Sequence, residues 1–313
     1  MPDQTHGSGA GSASTWEKGR ARRRALALAR PYLYILPTFF FLFVFTHWPI
    51  LRTFYVSFFK WNMASPRMEF VGFANYAQAR SAPLFWEVLR NNIVFAIGTV
   101  PLTLALALAL ALLINQKLRG LAIYRALLFY PTMIPMAAAA MIWLWILTPN
   151  YGLLNFYGKW LGLPDIHWLG HSKLALWALV LVGVWKRVGY YMVIYLAGLQ
   201  VIPDYLHEAA IIEGANPWQR FWRVTFPLLS PTTFFVGLMA VIDSFQAIDQ
   251  VYLMTGGGPG NATNLFIFYI YQNAFRFFDM GYGSAVSAIL FLILLGLTVL
   301  AFRTLHRRVH YAA

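Results

Sequence analysis

Apolar residues along the 313-residue chain gather into six long runs, at about 32–55, 91–114, 126–147, 174–199, 228–252 and 282–302. Each reaches the ~20 residues that an α-helix needs to cross a hydrocarbon core of ~30 Å. Irregular backbone facing lipid would leave N–H and C=O groups without partners, so the runs predict helices. Three of the runs carry no charge, and the first carries only Arg52, near its end. The fourth carries Lys186 and Arg187 near its middle, and the fifth carries Asp243 and Asp249. The pattern predicts an all-α polytopic membrane protein with six transmembrane helices over 31–313 and a polar insert, about 203–227, between helices 4 and 5.

Composition agrees with a bilayer as solvent. Only 11% of residues are charged, where a water-soluble domain carries about 25%. The net charge of +13 does not point to nucleic acid, because the basic residues lie in the N-terminal tail and short loops rather than on one face. Residues 1–30, with "GSGAGSAS" and "RARRR", read as a disordered basic tail. The first apolar run is long and ends in "THWPILRTFY", with no small-residue cleavage site, so it reads as an uncleaved membrane helix. With the N-terminus inside, the inner segments hold fourteen Lys and Arg and the outer loops eight. That bias places both termini and the 203–227 insert in the cytoplasm.

The insert has its own punctuation. Pro203 suits the start of a helix and Asp204 adds favourable negative charge at that end. Asp204 to Glu213 reads as a short helix, closed by Gly214 in the left-handed conformation. Asn216 is a good N-cap and Pro217 a good first residue for a second short helix. That helix carries Trp218, Phe221, Trp222 and Val224, and Pro227 and Pro231 open the next span. Ala209 and Ala210 are small enough to let a partner approach the first helix closely. Read from physics alone, the insert is equally well a loop that packs on the bundle.

Charges within the spans need compensation, since each at the bilayer centre costs about 2.5–3.5 kcal/mol on insertion scales. Asp243, Gln246 and Gln250 recur at i, i+3 and i+7, one face of a helix, with Asp249 beside it. Such a stripe either joins helices or lines a wet path. Lys186 and Arg187 either snorkel to an interface or share a cavity with the acids. The expectation is that at least one cation approaches Asp243 or Asp249, which favours a neutral cargo. "TGGGPGNAT", 255–263, lacks the Lys-Ser/Thr of a phosphate-binding loop and reads as a tight outer turn. There is no cysteine, the histidines have no ligand spacing, and no metal site is predicted.

The residues "EAAIIEGANPWQRFWRVTFP" resemble the cytoplasmic motif of ABC importer permeases: Glu-Ala-Ala, three residues, Gly, nine residues, then Ile-x-Leu-Pro. Glu208, Ala209, Ala210, Gly214 and Pro227 match it. Val224 and Phe226 replace Ile and Leu, and Glu213 stands where sugar permeases usually have Asp. "FVGFANY", "LAGLQVIP" and "MTGGGPGNATNLFIFYIYQNAF" followed by "MGYGSA" are similar to the carbohydrate branch, of maltose and glycerol-phosphate permease type. The resemblance implies a bacterial inner-membrane importer subunit for a sugar, or alternatively for glycerol phosphate, whose insert seats in a cytoplasmic ATPase dimer. It also implies a second permease subunit, an external solute-binding protein, and a substrate path that includes Lys186, Arg187, Asp243, Gln246, Asp249 and Gln250. The chain has no P-loop, so ATP and Mg²⁺ belong to the ATPase and no cofactor to this chain. An ion-driven transporter and a membrane-embedded enzyme compete less well: the first predicts inverted repeats, the second convergent catalytic groups.

Overall fold

The computed structural model describes residues 32, 34–116 and 120–305. The tail expected to be disordered, 1–30, lies outside them. The chain divides into two units, 1–55 and 56–313. In the first, the described residues belong to one apolar helix, α1 (Tyr34–Val56), with the turn Phe43–His47 wound as π-helix. Its large side chains, Tyr34, Phe39 and Phe45 among them, are exposed, as lipid-facing residues are.

The second unit begins with a β-hairpin that the all-α expectation missed. Strands β1 (Phe59–Trp61) and β2 (Met68–Phe70) pair antiparallel, with Phe59 opposite Phe70 and Lys60 opposite Glu69. The two-residue alternation of Phe59, Trp61, Met68 and Phe70 carries it. Trp61 Nε1 donates to Ser65 O across the turn, 3.1 Å. Helices follow: α2 (Ala74–Ser81), α3 (Pro83–Ile114), α4 (Leu121–Met133), α5 (Met136–Ile146), α6 (Leu153–Trp160) and α7 (Ser172–Val201). Then come α8 (Asp204–Ile212), α9 (Pro217–Leu228, with a π turn at Phe221–Thr225), α10 (Ser230–Phe245), α11 (Phe266–Tyr271) and α12 (Met280–Leu305).

Among the described residues, α1, α3, α7 and α12 are each long and apolar enough to cross a membrane. The pairs α4–α5 and α9–α10 pass the same test together but are bent by 95° and 68°. The third predicted span is therefore broken rather than continuous, while the 68° bend, at Leu229, falls at the entry to the fifth. The reason for the first break is local. Pro135 has no N–H to give to the Pro131 carbonyl, and the residue before a proline avoids the α region. Ile134 is accordingly extended, with ψ 131°. The fifth span loses its α-helix at Phe245, resumes at Asp249, and passes into a π turn at Val251–Thr255. No proline or glycine lies between 238 and 255, so only the surroundings account for that break.

Helices α3 and α7 pack along most of their length and form the centre of the unit. Small residues make this approach possible, as at membrane helix interfaces generally: Ala107, Ala111 and Ala178 are buried there. Helix α4 docks on α7 at Gly189. A Cβ at Gly189 would lie 2.1 Å from the Leu128 carbonyl oxygen, so only glycine fits. One apolar core, with Phe95, Leu147, Leu179, Val182 and Phe268, sits towards the 255–264 turn. A second, with Ala111, Tyr195, Leu199, Leu229 and Val236, sits towards α8 and α9.

Candidate functional site

Between those two cores lies a cavity of about 270 Å³. Lys186, Arg187, Asp243, Gln246, Asp249 and Gln250 all line it, with Phe95, Thr99, Met136, Gly183 and Tyr191. The structure thus brings the six polar positions singled out in the sequence around one space. Asp243, Gln246 and Gln250 do not share one helical face as expected, because α10 has ended before Gln246. They converge because the chain opens there: Gln246 and Asp249 are exposed in and beside the break, and Gln250 starts the next turn. Backbone that is not helical at membrane depth is tolerated where it lines such a cavity.

The two adjacent cations have different partners. Lys186 Nζ donates to Pro131 O at 2.7 Å, to Thr132 O at 3.0 Å and to Ile134 O. Those carbonyls are the ones the 95° bend deprives of helical partners. Thr132 Oγ1 returns a bond to the Lys186 carbonyl, 3.3 Å. Arg187 instead faces Asp243, with Nε 3.5 Å from Oδ2. The same oxygen accepts the Tyr191 hydroxyl at 2.6 Å. Lys186 makes no ion pair among the described residues, while Arg187 does.

Several contributors carried no sequence signal. Tyr191 is buried and holds Asp243. Asn92, fully buried, accepts from Phe266 N at 3.1 Å and donates to Ser244 O at 3.5 Å, tying the end of α10 to the start of α11. The turn 255–264 is closed by Thr263, whose hydroxyl donates to Gly258 O at 2.7 Å and also lies 2.7 Å from Thr255 Oγ1.

The second region of interest is α8–α9. Helix α8 ends in a Schellman arrangement: Ala215 N donates to Ala210 O and Gly214 N to Ile211 O, both 2.9 Å. Gly214 has φ +80°, and nothing lies within 4 Å of where its Cβ would be. The glycine is thus required by backbone conformation and not by crowding. Asn216 and Gln219 form a reciprocal capping box, and Pro217 takes the first turn of α9. Glu208 and Ala209 are exposed, whereas Ala210 is buried against its own chain; the two alanines do not share a face. Pro227 sits in the last turn of α9, before the bend, and Pro231 alone opens α10. Tyr205, Ile211, Ile212 and Trp218 stand exposed on the segment.

Residues 102–310 match the family described as binding-protein-dependent transport system inner membrane component. The chain belongs to this family. It is a multi-pass membrane permease, a transport subunit of an ABC importer. Its relatives include the trehalose/maltose transport system permease protein MalF of Thermococcus litoralis, 35% identical over 268 residues, covering 86% of this chain and 90% of that one. The sn-glycerol-3-phosphate transport system permease protein UgpA of Rhizobium meliloti is 34% identical over 284 residues, covering 90% and 96%. Among solved structures, a bacterial ABC transporter involved in import of the acidic polysaccharide alginate superposes on the permease with TM-score 0.80 at 20% identity, covering 93% of this chain and 99% of that one. At that identity the likeness is one of fold.

Proposed function

We propose that this permease carries a carbohydrate-class solute into a bacterial cell, as half of a pore completed by a second permease subunit, and that α8–α9 is its joint to a cytoplasmic ATPase dimer. On this reading the bent pair α4–α5 is one span and α10 with the segment after it another, giving six with α1, α3, α7 and α12, while both termini and 203–227, α9 included, are in the cytoplasm. An external binding protein delivers the solute to the cavity lined by Lys186, Arg187, Asp243, Gln246, Asp249 and Gln250. ATP and Mg²⁺ act on the partner.

One observation carries the reading. The motif Glu208, Ala209, Gly214 folds as a doubly capped helix–turn–helix that leaves Ile211, Ile212 and Trp218 bare. Apolar side chains on a rigid element outside the spans fit a partner's groove. Rigid-body motion of the ATPase would then pass through α9 to α10 and so to the cavity wall. The carbohydrate class is supported by the relative described as a trehalose/maltose transport system permease, and the alternative by those described as sn-glycerol-3-phosphate transport system permeases.

The test is at the turn. Gly214→Val meets no steric obstacle but strains the backbone. The expected result is a permease that inserts normally and loses ATPase association and transport. Undiminished transport by Gly214→Val and by Glu208→Arg together would contradict the joint. Because the chain has no cysteine, a single Ile212→Cys reports topology; labelling from outside only would overturn the orientation.

A further inference from the structure

We infer that the cavity takes an uncharged polyhydroxyl solute and discriminates against anions such as phosphate esters, with Asp243 and Asp249 as the residues that set this preference. The inference rests on reading the cavity as the solute path. Two cations at a membrane cavity suggest an anionic cargo until their hydrogens are counted. A lysine ammonium has three donors, and Lys186 gives them to three carbonyls at the α4–α5 break. None remains for a ligand. Arg187 is balanced by Asp243 on its Nε side, and Tyr191 holds that carboxylate in place.

The fourth charge is Asp249. It lines the cavity and has no hydrogen bond or ion pair among the described residues. The four charges cancel, so an anion leaving water gains no net attraction, and it meets an unopposed carboxylate.

The groups left open have a mixed character. Gln246 and Gln250 offer amides that both donate and accept, Asp249 accepts, and the terminal nitrogens of Arg187 donate. Gln250 is 4% exposed and lines the cavity, yet its amide has no partner among the described residues. Those amide atoms are not among the fully buried polar atoms left without a partner, so the amide is open to the cavity and can bond to its contents. Hydroxyl groups both donate and accept and so match this set, whereas a phosphate only accepts. Phe95 adds an apolar wall.

The test uses the permease assembled with its second permease and ATPase in lipid nanodiscs, without the binding protein, so that the cavity alone is read. Equilibrium binding is measured with radiolabelled maltose, trehalose and glycerol 3-phosphate. The expected result is saturable binding of a disaccharide and at least ~10-fold weaker binding of glycerol 3-phosphate. Asp243→Asn and Asp249→Asn each remove one negative charge, which at a few ångström and an effective dielectric near 20 shifts the anion-to-disaccharide ratio by at least ~10-fold towards the anion. Asp249→Asn breaks no contact of the fold and serves if Asp243→Asn fails to assemble. Equal or tighter binding of glycerol 3-phosphate to the unaltered protein, or an unchanged ratio in the variants, would overturn the inference. Failure of all three probes to saturate would instead overturn the cavity as a solute site, and this inference with it.

Discussion

Two broken helices flank one cavity, and they are finished in opposite ways. At the α4–α5 break the freed carbonyls of Pro131, Thr132 and Ile134 are taken by Lys186, a side chain from the neighbouring helix. At the break after α10, Gln246, Asp249 and Gln250 are left facing the cavity with no side-chain partner among the described residues. The first break is closed by the protein itself. The second is open to whatever enters. Polar groups at membrane depth must be satisfied in either case, so the difference separates a break that shapes the fold from one that, on the proposed reading, meets a solute. It also separates two neighbours in sequence: Lys186 gives its donors to the scaffold, while Arg187 pairs with Asp243.

The largest effect is expected where the closed break is built. Gly189→Val would push a side chain into the Leu128 backbone and part α4 from α7, at a cost above about 3 kcal/mol. Yield and thermal unfolding in nanodiscs would show it as loss of folded protein. Lys186→Met comes next. It leaves three carbonyls without their donor, at about 1–3 kcal/mol for each group so orphaned, softened by relaxation to a total of about 3 kcal/mol. A Lys186→Met permease with unaltered stability would erase the distinction between the breaks. At the open break the signs invert. Gln246→Ala and Gln250→Ala should change stability by less than about 1 kcal/mol while lowering transport at least ~10-fold. The smallest effect is predicted for Pro135→Ala, which restores one N–H. The bend should survive, held by Lys186, with a stability change within about 1 kcal/mol and transport intact.

Much of this was legible in the sequence, for identifiable reasons. Span positions followed from apolar runs, and α8–α9 from Pro203, Gly214, Asn216 and Pro217, because caps act locally and each residue type has one dominant backbone use there. The convergence of Lys186, Arg187, Asp243, Gln246, Asp249 and Gln250 was legible as a cost that needed compensation. What was not legible was how each is compensated. Lys186 finds carbonyls 52 to 55 residues away, and a backbone acceptor leaves no mark on sequence. The α4–α5 break had a signal, Pro131 and Pro135 four apart, that hydropathy averages away. The break after Phe245 has none, since no glycine or proline accompanies it. The split of Ala209 from Ala210 arises from packing of α8 on its own chain, which makes Ala210→Trp a fold-breaking change and Ala209→Trp the sharper probe of a docking partner.

The central claim, that the open break meets the solute and the closed one does not, is tested most directly by solute protection of single cysteines. The natural absence of cysteine makes Gln246→Cys and Thr132→Cys clean reporters in the assembled importer. Slowed modification of Cys at 246 by a small thiol reagent when the transported sugar is added, by at least ~5-fold, with no change at 132, is the predicted result. Equal protection at both positions, or protection at 132 alone, would contradict it.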